Sequence, residues 1–306
     1  MGNQHNWLFN ANYSDLTLYN THIKTIMSNQ PLGSAGNSDT AKWIEVLARF
    51  GYAAKGIIYA LVGILAIQAA FNWGGKVTGS TGAFETIANQ PFGKVLLFLV
   101  AVGLVGYVIW RFVAAIFDPE NNDDGAKNIL RRLSYAVSGL VYGSLAFVAF
   151  RIVFSSGSSS GSSGGDSSNQ QTATLLSQPF GRWLVGLVAA GAVAYGFYCI
   201  YRGVKIKFRK KLKLAEMSSK AQTWAVRIGR FGLICKGIVS VIVGYFFAQA
   251  ARSSDASEAK TTAGALQAIQ QQPFGAVLMG IIAFGMLAYG IHLMVQARYR
   301  RISPEQ

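Results

Sequence analysis

The chain holds 306 residues, 51% hydrophobic and only 13% charged, where an ordinary soluble domain carries about 25% charged residues, so a bilayer is the expected solvent. A formal net charge of +15 in such a chain reads as basic loops facing anionic lipid rather than as a nucleic-acid surface. Its 2 cysteines and 3 histidines lack ligand spacing, which excludes a disulfide framework and a zinc or haem centre, and no cofactor is expected.

Residues 1–44 are a polar tail, expected to be disordered, with no apolar run behind a basic start and so no cleavable signal. Met27 is an alternative start to Met1. Six stretches then follow that are long and apolar enough to cross a membrane as helices: Phe50–Phe71, Phe92–Phe117, Leu133–Phe154, Gly181–Tyr201, Phe231–Ala251 and Phe274–Ala297. None contains Asp or Glu. Lys24, Lys42 and Arg49 precede the first; Lys127, Arg131 and Arg132 lie between the second and third; the run from Lys205 to Arg230 separates the fourth from the fifth; Arg298, Arg300 and Arg301 follow the sixth. The alternate connections hold little more than Lys76, Arg252 and Lys260. The positive-inside rule therefore puts both termini in the cytoplasm.

The chain repeats itself. "QPFG" occurs at Gln90, Pro91, Phe92 and Gly93, at Gln178, Pro179, Phe180 and Gly181, and at Gln272, Pro273, Phe274 and Gly275. A glycine (Gly103, Gly191, Gly285) and a tyrosine (Tyr107, Tyr195, Tyr289) follow each at fixed spacing. "RFGYAAKGIIY", "RLSYAVSGLVY" and "RFGLICKGIVS" are one phrase varied, opened by Arg49, Arg132 and Arg230. "TGAFETIAN" and "TAGALQAIQQ" precede their QPFG as short amphipathic segments, against "TATLLS" in the middle copy. The expected fold is all-α: six transmembrane helices as three parallel two-helix hairpins about a pseudo-threefold axis. Repeat 1 covers 45–120, repeat 2 128–204 with a Ser/Gly-rich outer loop at 155–171, and repeat 3 227–300. A basic linker at 205–226 and a tail at 301–306 complete the chain.

Each QPFG is expected to be the outer turn before a return helix. Proline is tolerated in a first helical turn, Gln can offer its amide oxygen to free N–H groups there, and Phe suits the interface. Gly56, Ala60, Gly63, Gly139, Gly143, Gly186, Gly191, Gly196, Gly280, Gly285 and Gly290 are expected to let helices meet closely. Lys55, Lys236 and Arg111 lie near the cytoplasmic ends of their spans; snorkelling to the interface is the first expectation, contact with an anionic lipid head or other anion the second. Trp110, Tyr198, Tyr201, Tyr299 and His292 fit an inner aromatic belt. The basic linker is expected to anchor on anionic headgroups.

The phrases "RFGYAAKGIIYALVGILA", "GAFETIANQPFGKVLLFLVAVGLVGYVIWR" and the closing Asp118–Pro119 resemble DUF1206, a family of bacterial membrane proteins with three copies of a two-helix unit. The resemblance implies a multi-pass protein of a bacterial inner membrane and carries no activity with it. With no P-loop, nucleophile elbow, HExxH or mid-membrane carboxylate, the expectation is a non-enzymatic scaffold, assembly or lipid-interacting protein. Its expected partners are anionic headgroups on the cytoplasmic side and other membrane proteins, with no nucleic acid. A small transporter or channel with a path between the repeats is the alternative, and an enzyme acting on lipid ranks last.

Overall fold

A computed structural model describes residues 34–117, 126–154, 172–178 and 180–300. The chain divides into a first unit, Met1–Trp43, and a second, Ile44–Gln306. Of the first, residues 34–43 are described, and they are helical. The disordered tail expected over 1–44 is thus corrected at its end: helix begins at Ser34, and further on Arg49 pairs with Glu45 one turn earlier at 2.6 Å. Residues 1–33, the Ser/Gly-rich loop at 155–171, Asp118–Pro119, Pro179 and the tail at 301–306 lie outside the described residues.

The helices are α1 (Ser34–Ala70), α2 (Ser80–Ala88), α3 (Gly93–Phe117), α4 (Ala126–Phe154), α5 (Gly181–Val204), α6 (Ser219–Ser253), α7 (Thr262–Gln270) and α8 (Gly275–Tyr299). A single helical turn at 172–176 holds the place of α2 and α7 in the middle copy. Six are long and apolar enough to cross a membrane, within Glu45–Ala70, Gly93–Ile116, Arg131–Phe154, Gly181–Val204, Ser219–Ser253 and Gly275–Tyr299. In the basic linker two 3₁₀ turns, Lys207–Lys211 and Leu214–Glu216, lead into α6 at Ser219. Phe208 and Leu212 are buried there, and Lys213 donates its N–H to the Tyr299 carbonyl at 2.7 Å.

QPFG forms the same turn three times. The Gly93, Gly181 and Gly275 N–H groups donate to the Gln90, Gln178 and Gln272 carbonyls at 2.7, 2.8 and 2.8 Å. Phe92, Phe180 and Phe274 sit between them at φ 60°, 64° and 61°, the left-handed third position of a type II turn. Two expectations are corrected. Pro91 and Pro273 precede the helix cap instead of occupying the first helical turn, and the Gln backbone carbonyl, not its side-chain amide, accepts the bond. Glycine ends the turn because a Cβ would meet the Ile87, Leu175 or Gln270 carbonyl oxygen at 1.9, 2.2 or 1.9 Å. The three phenylalanines are 85%, 79% and 85% exposed.

Within the second unit the repeats pack as equivalents. Added Cβ atoms at Gly56, Gly139 and Gly237 would meet Met294 of α8 at 3.1 Å, Phe112 of α3 at 3.2 Å and Ile200 of α5 at 2.6 Å. These pairs occupy the same repeat positions, so each copy's outgoing helix seats on the preceding copy's return helix, and copy one on copy three. Arginine follows the same rule. Arg49 donates to the Ala297 carbonyl at 3.0 Å and to that of Arg298, and Arg132 to the Ala115 carbonyl at 2.6 Å and to that of Ile116. A cation there satisfies orphan carbonyls and faces the negative end of the helix dipole. This arginine end lies opposite the turn end marked by QPFG.

Inside the hairpins the copies differ. A Cβ on Gly103 would lie 2.6 Å from Ala54 Cβ, and one on Gly285 2.2 Å from Cys235 Cβ and Sγ, whereas one on Gly191 would meet nothing within 4 Å among the described residues. The expectation that Gly186 and Gly191 serve close packing is therefore corrected: both face open space. The six helices form a ring that is continuous except between α4 and α5.

Candidate functional site

Lys55 is 4% exposed and Lys236 9%. They do not snorkel, because at their positions on α1 and α6 the side chains point between the repeats rather than along the lipid face. At 1.5 Å per residue, Lys55 lies about 9 Å deeper than the Arg49 level, too far inside the bundle for its ammonium to emerge.

The lysines meet tyrosines. Lys55 Nζ donates to the Tyr107 hydroxyl at 3.3 Å and stands over the Tyr142 ring at 4.2 Å and the Tyr107 ring at 4.9 Å. Arg111 Nε donates to the same Tyr107 hydroxyl at 2.7 Å, and its guanidinium lies over the Tyr107 and Tyr135 rings at 4.9 and 5.1 Å. Lys236 Nζ stands 4.9 Å over the Tyr59 ring. Tyr59 and Tyr142 join hydroxyl to hydroxyl at 3.3 Å. Edge-to-face contacts of Tyr59 with Tyr289 at 4.8 Å and of Tyr107 with Tyr142 at 4.9 Å complete the cluster. Five of the six spanning helices supply these groups: α1 Lys55 and Tyr59, α3 Tyr107 and Arg111, α4 Tyr135 and Tyr142, α6 Lys236, and α8 Tyr289, with α5 adding Tyr195 within electrostatic range of Tyr59 and Tyr289.

The arrangement is rich in cations and poor in anions. Lys236 and Arg111 both lie within electrostatic range of Lys55, and one phenol oxygen accepts from two of the three cations. No Asp or Glu falls inside the five spans after the first, and Glu45, at the edge of the first, is held by Arg49. Aromatic faces offset part of the charge, by about 1–2 kcal/mol for each desolvated contact, while a buried cation without a partner costs more than that.

A second polar chain runs along α8 toward the arginine end. His292 Nε2 and Gln296 Nε2 are 2.7 Å apart, and Arg300 donates to Gln296 Oε1 at 3.1 Å. With Gln296 donating, His292 carries its proton on Nδ1, a buried atom with no partner among the described residues. Arg300 also lies 4.8 Å over the Tyr52 ring, and Phe208 meets His292 edge-on at 4.8 Å. Trp110 and His292 are each 1% exposed, which corrects their place in an aromatic belt; Tyr198 and Tyr201 are exposed.

Of the residues singled out in the sequence, Lys55, Arg111 and Lys236 come together. The QPFG residues do not join them: Gly93 lies about 21 Å from Tyr107 along α3. Tyr59 and Tyr142 were missed. Their signal was a shared repeat position, ten residues past Arg49 and Arg132, where the third copy has Ser240.

Comparison with known proteins adds three findings. The family described as Domain of Unknown Function (DUF1206) matches residues 50–118, 133–205 and 231–300. The uncharacterized protein YxxB of Bacillus subtilis (strain 168) is 34% identical over 268 residues, covering 88% of this chain and 95% of that protein. No solved structure matches.

Proposed function

This chain belongs to the DUF1206 family, and we propose that it is a non-enzymatic, lipid-interacting membrane protein whose buried cations receive an anionic lipid headgroup. The observation that carries this reading is the burial of Lys55 and Lys236, with Arg111 beside Lys55 and with Glu45, held by Arg49 at the edge of the first span, as the one carboxylate in the six spans. An anion between these groups supplies the missing charge in a low-dielectric site, where each contact is stronger than in water. The rival reading, a small anion transporter or channel, draws on the same cations. It needs a hydrated path between the repeats, and the edge-to-face tyrosines there favour a binding site over a conduit. The distribution of Lys and Arg further supports a bacterial plasma membrane with the arginine end at the cytoplasm.

The test is thermal unfolding of the purified protein in a neutral detergent, with phosphatidylglycerol or phosphatidylcholine added. A ligand at about 100 times its Kd stabilises by about 2.7 kcal/mol. The expected result is a rise in Tm with phosphatidylglycerol alone, lost in Lys55→Met/Lys236→Met. Equal responses to both lipids, or flux of a defined anion through the protein in liposomes, would overturn the proposal.

A further inference from the structure

We infer that the seam between α4 and α5 holds one acyl chain of an anionic phospholipid whose headgroup sits on Lys55, Lys236 and Arg111; this rests on the headgroup reading above. The repeat supplies its own control. The hairpin contact made by Gly103 with Ala54 and by Gly285 with Cys235 has its third instance at Gly191 and Val137, and there it is absent. Ala54 and Cys235 are 3% and 2% exposed; Val137 is 51% exposed. The repeat tyrosines follow suit: Tyr107 is 0%, Tyr289 5% and Tyr195 43% exposed.

The seam is apolar and leads to the cations. Val137 and Val141 line it from α4, and Val188 and Gly191 from α5, at the three- and four-residue spacings that share a helix face. Tyr142, next to Val141 on α4, carries the Lys55 ammonium over its ring at 4.2 Å and joins the Tyr59 hydroxyl at 3.3 Å, and Tyr59 is the ring beneath Lys236. A ligand that fills the seam and neutralises the cations therefore needs a hydrocarbon chain joined to an anion. A free anion leaves the seam empty. A second copy of the chain covers the apolar walls but brings no acidic group within its last five spans. An anionic phospholipid supplies both parts, and it is already present at the open side.

Native mass spectrometry from mild detergent tests this with dioleoylphosphatidylglycerol, dioleoylphosphatidylcholine and inorganic phosphate as probes. The wild-type chain is expected to retain one phosphatidylglycerol, with neither phosphatidylcholine nor phosphate replacing it. Gly191→Phe fills the seam and is expected to lower retention at least tenfold. Ala190→Phe, which adds bulk on an exposed position of α5 turned about 100° from Gly191 and further still from Val188, leaves it unchanged. If Gly191→Phe retains the lipid while Lys55→Met/Lys236→Met loses it, the seam assignment falls and the headgroup reading stands; if both retain it, both fall. Displacement by phosphate, or a dimer that Gly191→Phe dissociates, would also overturn the seam assignment. Should Gly191→Phe fail to fold, bimane on Gly191→Cys in a Cys199→Ser/Cys235→Ser background replaces it. Quenching by phosphatidylglycerol brominated on its acyl chains is then expected to exceed quenching by brominated phosphatidylcholine, and equal quenching sinks the assignment.

Discussion

Phe92, Phe180 and Phe274 hold a backbone conformation that costs an L-residue about 1–2 kcal/mol, and each does so with its ring in the open. The turn tolerates this because the helix carbonyl packed against the next glycine leaves no room to relax. Asn adopts the left-handed conformation more readily than Phe and without the entropy cost of Gly. Phe274→Asn is therefore expected to stabilise the protein in detergent by about 1 kcal/mol, measured as a higher Tm; a lower Tm would mean that the exposed ring makes contacts worth more than the strain. Lys55 argues the opposite case, a side chain whose burial is costly until something binds. Lys55→Met keeps the volume and removes the charge, so it is expected to raise Tm in lipid-free detergent by the equivalent of about 1–3 kcal/mol. It is also expected to abolish the increment from phosphatidylglycerol. Destabilisation in the lipid-free state would show that the tyrosine faces and the Tyr107 hydroxyl already compensate the ammonium.

Between helices, one residue type at one repeat position meets two environments. Gly285→Ala places a methyl 2.2 Å from Cys235 Cβ and Sγ, while Gly191→Ala places it in open space. The first is expected to cost about 1–3 kcal/mol through overpacking and the second close to nothing, both read as changes in Tm in detergent. Arg49→Ala and Arg132→Ala, which strip the cross-repeat carbonyls of their charged donors, are each expected to cost about 1.5–3 kcal/mol, and a loss confined to one of them would break the equivalence of the two interfaces. The repeat, the turns and the six spans were legible because identical letters and long apolar runs do not depend on neighbours. Which way a helix faced was not. In lipid the outside and the core are both apolar, so no polarity contrast marks the inward side. Hence Trp110 and His292 read as belt residues, Lys55 and Lys236 as snorkelling cations, and Gly191 as a packing residue like Gly103. Arg49 and Arg132 were visible as repeat marks, but their role depends on a helix from another copy.

Across the whole second unit, closure of the ring rests on α1 meeting α8. Three copies of a hairpin could also pack in a row, each on the one before, leaving the first copy's outgoing helix and the last copy's return helix as free edges. What distinguishes the ring is that the contact from copy three to copy one repeats the contacts from one to two and from two to three, down to the same positions: Gly56 against Gly290 and Met294, as Gly139 against Phe112 and Gly237 against Ile200. Buried share follows the ring, highest on the spans of α1 and α8 at 56% and 61% and lowest on those of α4 and α5 at 17% and 22%, so the free edges fall at the middle copy instead of at the chain's ends. A Cβ on Gly56 lies 3.1 Å from Met294 Cγ, within the reach of a disulfide. Gly56→Cys/Met294→Cys, in a Cys199→Ser/Cys235→Ser background, is therefore expected to form an internal disulfide in native membranes on mild oxidation. The product runs as a faster monomer on non-reducing gels and reverts with reductant. The pair Val137→Cys/Gly191→Cys, across the seam, is expected to remain reduced under the same treatment. If the seam pair oxidised and the α1–α8 pair did not, the opening would lie between copies one and three, and the lipid chain would have to be sought there.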